Sequence, residues 1–162
     1  VLTKRFLIFL SVGLVAVGIV VWFSLYATRG SHMELKGSIQ KVRIHPADEK
    51  SSVVIVDFRF VNPASYPYIV RSVDVKIEDA KGQMHEGSTI SDVDAGRLLE
   101  YYRLLGPKYN QSLIIRERIA PGQSLDRMIA ARFEVPEAVV QSRKRLTVRI
   151  EEVDGQVTEL TQ

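Results

Sequence analysis

Between Val54 and Phe60 every second side chain is apolar: Val54, Val56, Phe58 and Phe60 alternate with Ile55, Asp57 and Arg59. Successive side chains of a strand point to opposite faces, so the run reads as a strand with a core face and a face carrying Asp57 and Arg59. The pattern recurs. Val73, Val75 and Ile77 alternate with Asp74, Lys76 and Glu78, and Leu35, Ile39, Val42 and Ile44 form an earlier burst whose phase changes near Gln40, the signature of a bulge. Ile129, Ala131, Phe133 and Val135 follow, then Leu146, Val148 and Ile150. With a weaker strand at Met84 to Ile90 and another strand at Leu113 to Ile119, seven or eight short strands predict a mainly β fold, an antiparallel sandwich with one wet face.

The connections carry turn chemistry. "HPADEKSS" and "AKGQ" break the chain, "APGQ" suits a tight turn with Gly122 at positive φ, and Asp154-Gly155 suits a two-residue type I′ hairpin. Pro136 stands where a short helix can begin. One segment changes period: in "SDVDAGRLLEYYRLLGP" Leu98, Tyr101 or Tyr102, and Leu105 share a helical face, Asp92 or Asp94 can cap the first turn, and Gly106-Pro107 ends it. A helical insert over 92–106 is expected within a sandwich over 35–162.

Ahead of it, Phe6 to Tyr26 is uncharged and free of proline. At 1.5 Å per residue it matches the ~30 Å hydrocarbon core of a bilayer, and Trp22 and Tyr26 suit one interface. Residues 1–27 are therefore read as a basic tail and a single transmembrane helix. The apolar run exceeds a signal peptide's usual ~7–15 residues and Leu25, Ala27 make a poor cleavage site, so it reads as a retained signal anchor. Basic residues flank both ends; the tail of Lys4 and Arg5 is assigned to the cytoplasm, and the sandwich to the periplasm or exterior. Residues 28–34 are a linker, whose "GSHM", Gly30 to Met33, is identical to a common cloning scar.

Net charge is +3, but Lys4, Arg5 and Arg29 account for it: the remaining 19 basic residues balance 19 acidic ones, all beyond Met33. The neutral domain lacks the basic field that phosphate-backbone binding requires, which argues against nucleic acid as a partner. Cysteine is absent, so no disulfide supports the core.

"FRFVNPASYPYIV" sets Asn62, Pro63 and Pro67 between two alternating runs. Proline cannot donate to a central ladder and asparagine tolerates turn geometry, so an irregular crossing between strands is expected. Val56, Phe58, Phe60, Asn62, Pro63, Pro67, Val73 and Val75 together resemble the water-stress and hypersensitive-response type of late embryogenesis abundant domain. The resemblance implies an immunoglobulin-like or fibronectin-like sandwich associated with stress protection and extracytoplasmic binding, without catalytic residues; the helical insert departs from that pattern.

Reactive groups are sparse. His45 near Asp48 and Glu49, and His85 beside Glu86, lack ligand spacing, Glu151 and Glu152 point to opposite faces, and no phosphate loop, dinucleotide fingerprint or nucleophile elbow is present. No enzyme activity, cofactor, metal or small-molecule substrate is expected. Two binding surfaces are. Arg97, Tyr101, Tyr102, Arg103, Lys108 and Tyr109 combine the aromatic and cationic groups enriched at protein interfaces. Arg143, Lys144 and Arg145 suit anionic lipid headgroups if they face a bilayer. The sequence reads as a membrane-anchored binding or scaffold protein, an accessory subunit with membrane or envelope partners; a stress-protective protein and, more remotely, a hydrolase or metal enzyme are the alternatives.

Overall fold

The computed structural model describes residues 4–27 and 34–162. The chain divides into two units, residues 1–32 and 33–162. In the first, α1 runs Lys4–Ala27 and its described side chains are exposed. Among the described residues no helix is long and apolar enough to cross a membrane. Helical side chains are described without a break only over residues 9–24, so the expected Phe6 to Tyr26 span reaches beyond them at both ends. Gly30 to Met33 lie outside the described residues.

The second unit is mainly β, an eight-stranded antiparallel sandwich with helices. Its strands are β1 Lys36–Pro46, β2 Ser52–Val61, β3 Tyr68–Glu78, β4 Met84–Ile90, β5 Arg118–Ile119, β6 Ser124–Phe133, β7 Arg145–Glu152 and β8 Val157–Thr161; α2 spans Asp92–Tyr101, a 3-10 turn Arg103–Leu105, and α3 Glu137–Gln141. Pairing follows the order β1-β2-β6-β4-β3-β7-β8, with β5 on β3. The two layers share β4: residues 84–87 pair with β3 and residues 88–90 with β6. At the other margin β1 approaches β8, where the Leu35 N–H donates to Thr158 Oγ1 at 2.9 Å, so the sandwich is nearly closed.

Alternation builds the core. Val54, Val56, Phe58 and Phe60 meet Val73, Val75 and Ile77 of β3, Ile129, Ala131 and Phe133 of β6, and Leu146, Val148 and Ile150 of β7. The bulge expected near Gln40 lies between Ile39 and Lys41. The proline corner is a structural joint. Fully buried Asn62 donates to the carbonyls of Tyr66 and Ile119 and accepts from the Ala64 N–H, so its side chain replaces the ladder that Pro63 and Pro67 interrupt.

The sheet's outer face is not wet along β2, where Val53, Ile55 and Asp57 are as buried as the core residues, because the insert covers them. Ser91, not Asp92 or Asp94, caps α2 by accepting from the Asp94 N–H. The buried helical positions are Ala95 and Leu99; Leu98 and Tyr102 are only partly covered, and Leu105 reaches the same cluster from the 3-10 turn. Leu113 to Ile119 is irregular, held by a Ser112–Met128 bridge and two-residue β5, because the chain there crosses from one layer to the other. The β7–β8 hairpin has a three-residue loop: Glu152 N–H bonds to the Gln156 carbonyl, and Gly155 takes φ 91°. Gly122 is at φ 69°, as the "APGQ" turn requires.

Antiparallel pairing sorts the connections between two ends. Leu35, the Asn62–Pro67 corner, β5 and the β7–β8 loop gather at one; the β1–β2 and β3–β4 turns, α3 and the start of β7 gather at the other.

Gly87 sits where β4 changes partners, and a Cβ there would stand 2.7 Å from Phe133 Cζ and 2.9 Å from Ala131 Cβ. Gly87→Ala should destabilise the fold by about 1–3 kcal/mol through overpacking. In urea denaturation, the added substitution Phe133→Leu should cost less in the Gly87→Ala background than in the parent.

Candidate protein-binding site

The insert climbs and descends the outer face of the β1-β2-β6 layer. Its apolar anchors Ala95, Leu99 and Leu105 pack on Val53, Ile55, Met128 and Ala130. Asp57 occupies the next outward position of β2 and is carried under the cover with it, at 4% exposure. Arg43 of β1 meets it, Nη2 to Oδ2 at 2.8 Å. Arg43 Nη1 also donates to the carbonyls of Leu105 and Pro107, both at 2.9 Å, while Asn110 Nδ2 donates to Asp57 Oδ1 at 2.9 Å. Two buried charges from neighbouring strands thus hold the returning segment 105–110. Arg43 Nε alone of that fork has no hydrogen-bond partner.

A second fastening joins the two ends of the insert. Asp92 accepts from Lys108 Nζ and from the Ser112 N–H, the latter at 3.0 Å. The Lys108 hydrogen bond foremost, then those from Ser112, pull its carboxyl down to about 2. Tyr109, at 58% exposure, lies 5.0 Å from Lys41 Nζ and 5.1 Å from Arg43 Cζ, within cation–π range.

These fastenings leave a distinctive surface. Tyr101 is 80% and Leu104 91% exposed. Near them a shallow cleft of about 410 Å³ is lined by Gly96, Leu99, Glu100, Arg103, Gly106, Pro107 and Lys108. Gly106, at φ 77°, lets the chain leave the 3-10 turn beside the cleft.

The six residues expected at this surface play different parts. Tyr101 and Arg103 are exposed. Arg97 is exposed and pairs with Asp94 one turn back, and Lys108 is taken up by Asp92. Tyr102 is half-buried, its ring 4.3 Å from that of His45 and edge-on to Tyr101 at 4.8 Å. Tyr109 belongs to the Lys41–Arg43 cluster. Leu104, Arg43, Asp57 and Asn110 were not singled out as site residues by the sequence pattern. The available signal was the unbroken apolar run Val53 to Val56, which marks a strand covered on both faces.

Arg143, Lys144 and Arg145 lie together after α3, at the end of the sandwich opposite Leu35. Arg143 is half-buried and donates to the Val140 carbonyl, and burial lowers its pKa; Arg145 stands 3.9 Å from Glu78, and Lys144 is exposed. His45 Nδ1 lies 2.7 Å from the Pro46 carbonyl oxygen, and His85 faces Asp79 at 3.2 Å. Among the described residues no three His, Asp or Glu side chains are grouped to hold a metal ion.

No family model matches the chain, and no curated protein matches it. Similar solved structures include an uncharacterised β-sandwich protein from Clostridium difficile 630, at 10% identity and TM-score 0.37 over 80% of this chain and 85% of that one. Others are the archaellum periplasmic stator protein FlaG from Sulfolobus acidocaldarius (10%, TM-score 0.34, 79% and 99% covered) and the FlaF–FlaG stator complex of the same organism (10%, 0.33, 80% and 90%). Similarity this distant carries no statement about what this chain binds.

Arg43→Met leaves Asp57 buried without its cation and should cost about 3–5 kcal/mol, whereas Arg43→Met with Asp57→Leu should cost less than the single change; chemical denaturation of both variants checks this. The Asp92 fastening has the opposite reach. Its folded pKa lies below the ordinary 3.8, so its stabilisation is present above that value and is lost as pH falls from 3.8 toward about 2. Hydrogen exchange at the Ser112 amide should accelerate over that range relative to its intrinsic rate, and Asp92→Asn should remove the pH dependence.

Proposed function

We propose that the chain is a membrane-anchored, non-enzymatic binding or scaffold protein, an accessory subunit of a membrane complex, whose sandwich engages a protein partner through the insert. The observation that carries the proposal is the presentation of Tyr101 and Leu104: two large apolar side chains stand in solvent beside a cleft while a buried ion pair fixes the segment that follows them. Pre-ordering of this kind lowers the entropy lost on association, and an aromatic and an aliphatic anchor beside a concavity is the usual core of an interface.

Anchoring is supported by α1. Its described apolar side chains, Phe9 through Phe23, are exposed on every face of a 24-residue helix, as contact with lipid would require. The tail then lies in the cytoplasm and the sandwich in the periplasm or outside the cell. The order β1-β2-β6-β4 over β3-β7-β8 supports an immunoglobulin-like assignment, since it repeats the ABED and CFG layers of a constant-type domain.

A photo-crosslinking residue at position 104, introduced into the full chain in its native membrane, should join one discrete partner. The same residue at position 84, where exposed Met84 opens the β3–β4 pairing, should not. Tyr101→Ser should reduce the position-104 adduct severalfold without altering thermal stability. An equal, diffuse pattern from both positions counts against the insert as the binding surface.

A further inference from the structure

Another apolar feature of the surface is the crossing loop 113–118. Ile114 and Ile115 are 54% and 65% exposed, and Arg116 and Arg118 beside them are exposed. The one acidic residue of the loop is turned away: Glu117 accepts from Arg127 Nε at 2.9 Å and receives the Ile114 N–H. What the loop presents outward is therefore two isoleucines and two arginines.

It is held rigidly in that pose. The Arg116 N–H bonds to the Val70 carbonyl at 2.7 Å and the Val70 N–H to the Glu117 carbonyl at 3.0 Å, while Arg116 takes φ 67°, a left-handed conformation uncommon for a side-chain-bearing residue. Through Val70 the loop is fastened to the start of β3. That is the end of the sandwich where Leu35 bonds to Thr158 and the chain from α1 arrives. Exposed Tyr66, Ile69 and Val153 lie at the same end, Val153 donating its N–H to the Ile69 carbonyl.

From these observations we infer that the 113–118 loop rests on the surface of an anionic bilayer, its isoleucines at the headgroup boundary and Arg116 and Arg118 against lipid phosphates. The inference rests on the anchoring proposed above. Six residues separate Ala27 from Glu34, so a membrane-spanning α1 would keep Glu34 within about 25 Å of the bilayer. Apolar side chains flanked by arginines are the composition that binds the interface of a membrane containing anionic lipid. The basic run Arg143 to Arg145, at the opposite end, does not share that tether.

The chain has no cysteine, so single-cysteine variants of the full protein report position directly. Val15→Cys, Ile115→Cys and Lys144→Cys, each carrying an environment-sensitive fluorophore, are reconstituted in vesicles of phosphatidylcholine and phosphatidylglycerol with spin-labelled acyl chains. Probes at 15 and 115 should lose most of their fluorescence and the probe at 144 little; Arg116→Gln with Arg118→Gln should restore much of the signal at 115 alone. Quenching at 15 with none at 115 overturns the loop contact and leaves the anchoring intact. No quenching at 15 removes the anchoring and this inference with it. Protection at 115 only when a protein is added would assign the loop to a protein partner and equally overturn the lipid contact.

Discussion

The outer surface of this domain depends on one ion pair buried between β1 and β2. Arg43 and Asp57 come from adjacent strands, so neither needs the insert in order to be placed, yet each turns its remaining hydrogen-bonding capacity toward it: the guanidinium to the Leu105 and Pro107 carbonyls, the carboxylate to Asn110. Desolvating both charges is expensive, and such a pair seldom adds stability over apolar residues of equal volume. What it supplies is direction. An apolar contact between Leu105 and Ile55 would tolerate sliding, whereas carbonyls aimed at a planar fork admit only one arrangement.

That restriction explains how an irregular segment can display Leu104 almost wholly in solvent without collapsing onto the sheet. The 3-10 turn Arg103–Leu105 places consecutive residues on different sides, so burying Leu105 obliges Leu104 to face outward. Ala95 and Leu99 fix one end of the cover, Arg43 the other, and the Asp92 fastening ties the two ends together. The insert therefore works as an addition to a sandwich whose own core, between the layers, is complete without it.

Much of the sandwich was legible because strand alternation is a local property. Val54 to Phe60, Val73 to Ile77 and Leu146 to Ile150 announce their core faces, and the Ile39–Lys41 bulge shows as a break in phase. Asn62 was readable as a corner, since its neighbours cannot pair; its three side-chain hydrogen bonds account for it without a ligand. The cover was harder to read. Asp57 has the appearance of a wet-face residue until one knows that α2 returns over β2, and that depends on contacts between residues some forty positions apart. By sequence Asp92 and Asp94 are as able to cap as Ser91; Asp92 is drawn off by Lys108, a partner 16 residues away. Leu98 and Leu99 likewise cannot be told apart by period alone in a ten-residue helix, and the choice falls to the small contact surface that Ala95 leaves.

Charge is distributed by the same logic of ends and faces. Formal neutrality over the folded unit conceals repeated pairing along the strands, where Arg59 meets Asp126, Arg71 meets Glu151 and Lys76 meets Glu86. Exposed pairs of this sort contribute little stability each, and their main effect is to leave no long-range field. Unbalanced cations stand out where folding has withdrawn the neighbouring acid. Turning Glu117 inward to Arg127 does this to Arg116 and Arg118, on a loop that already carries two exposed isoleucines. Glu78 does the reverse for Arg145. A tripeptide of three basic residues thus keeps two cations without an acid partner, no more than a loop whose sequence, Ile-Ile-Arg-Glu-Arg, looks half neutralised, because what a surface offers depends on which side chains the backbone turns back toward the protein.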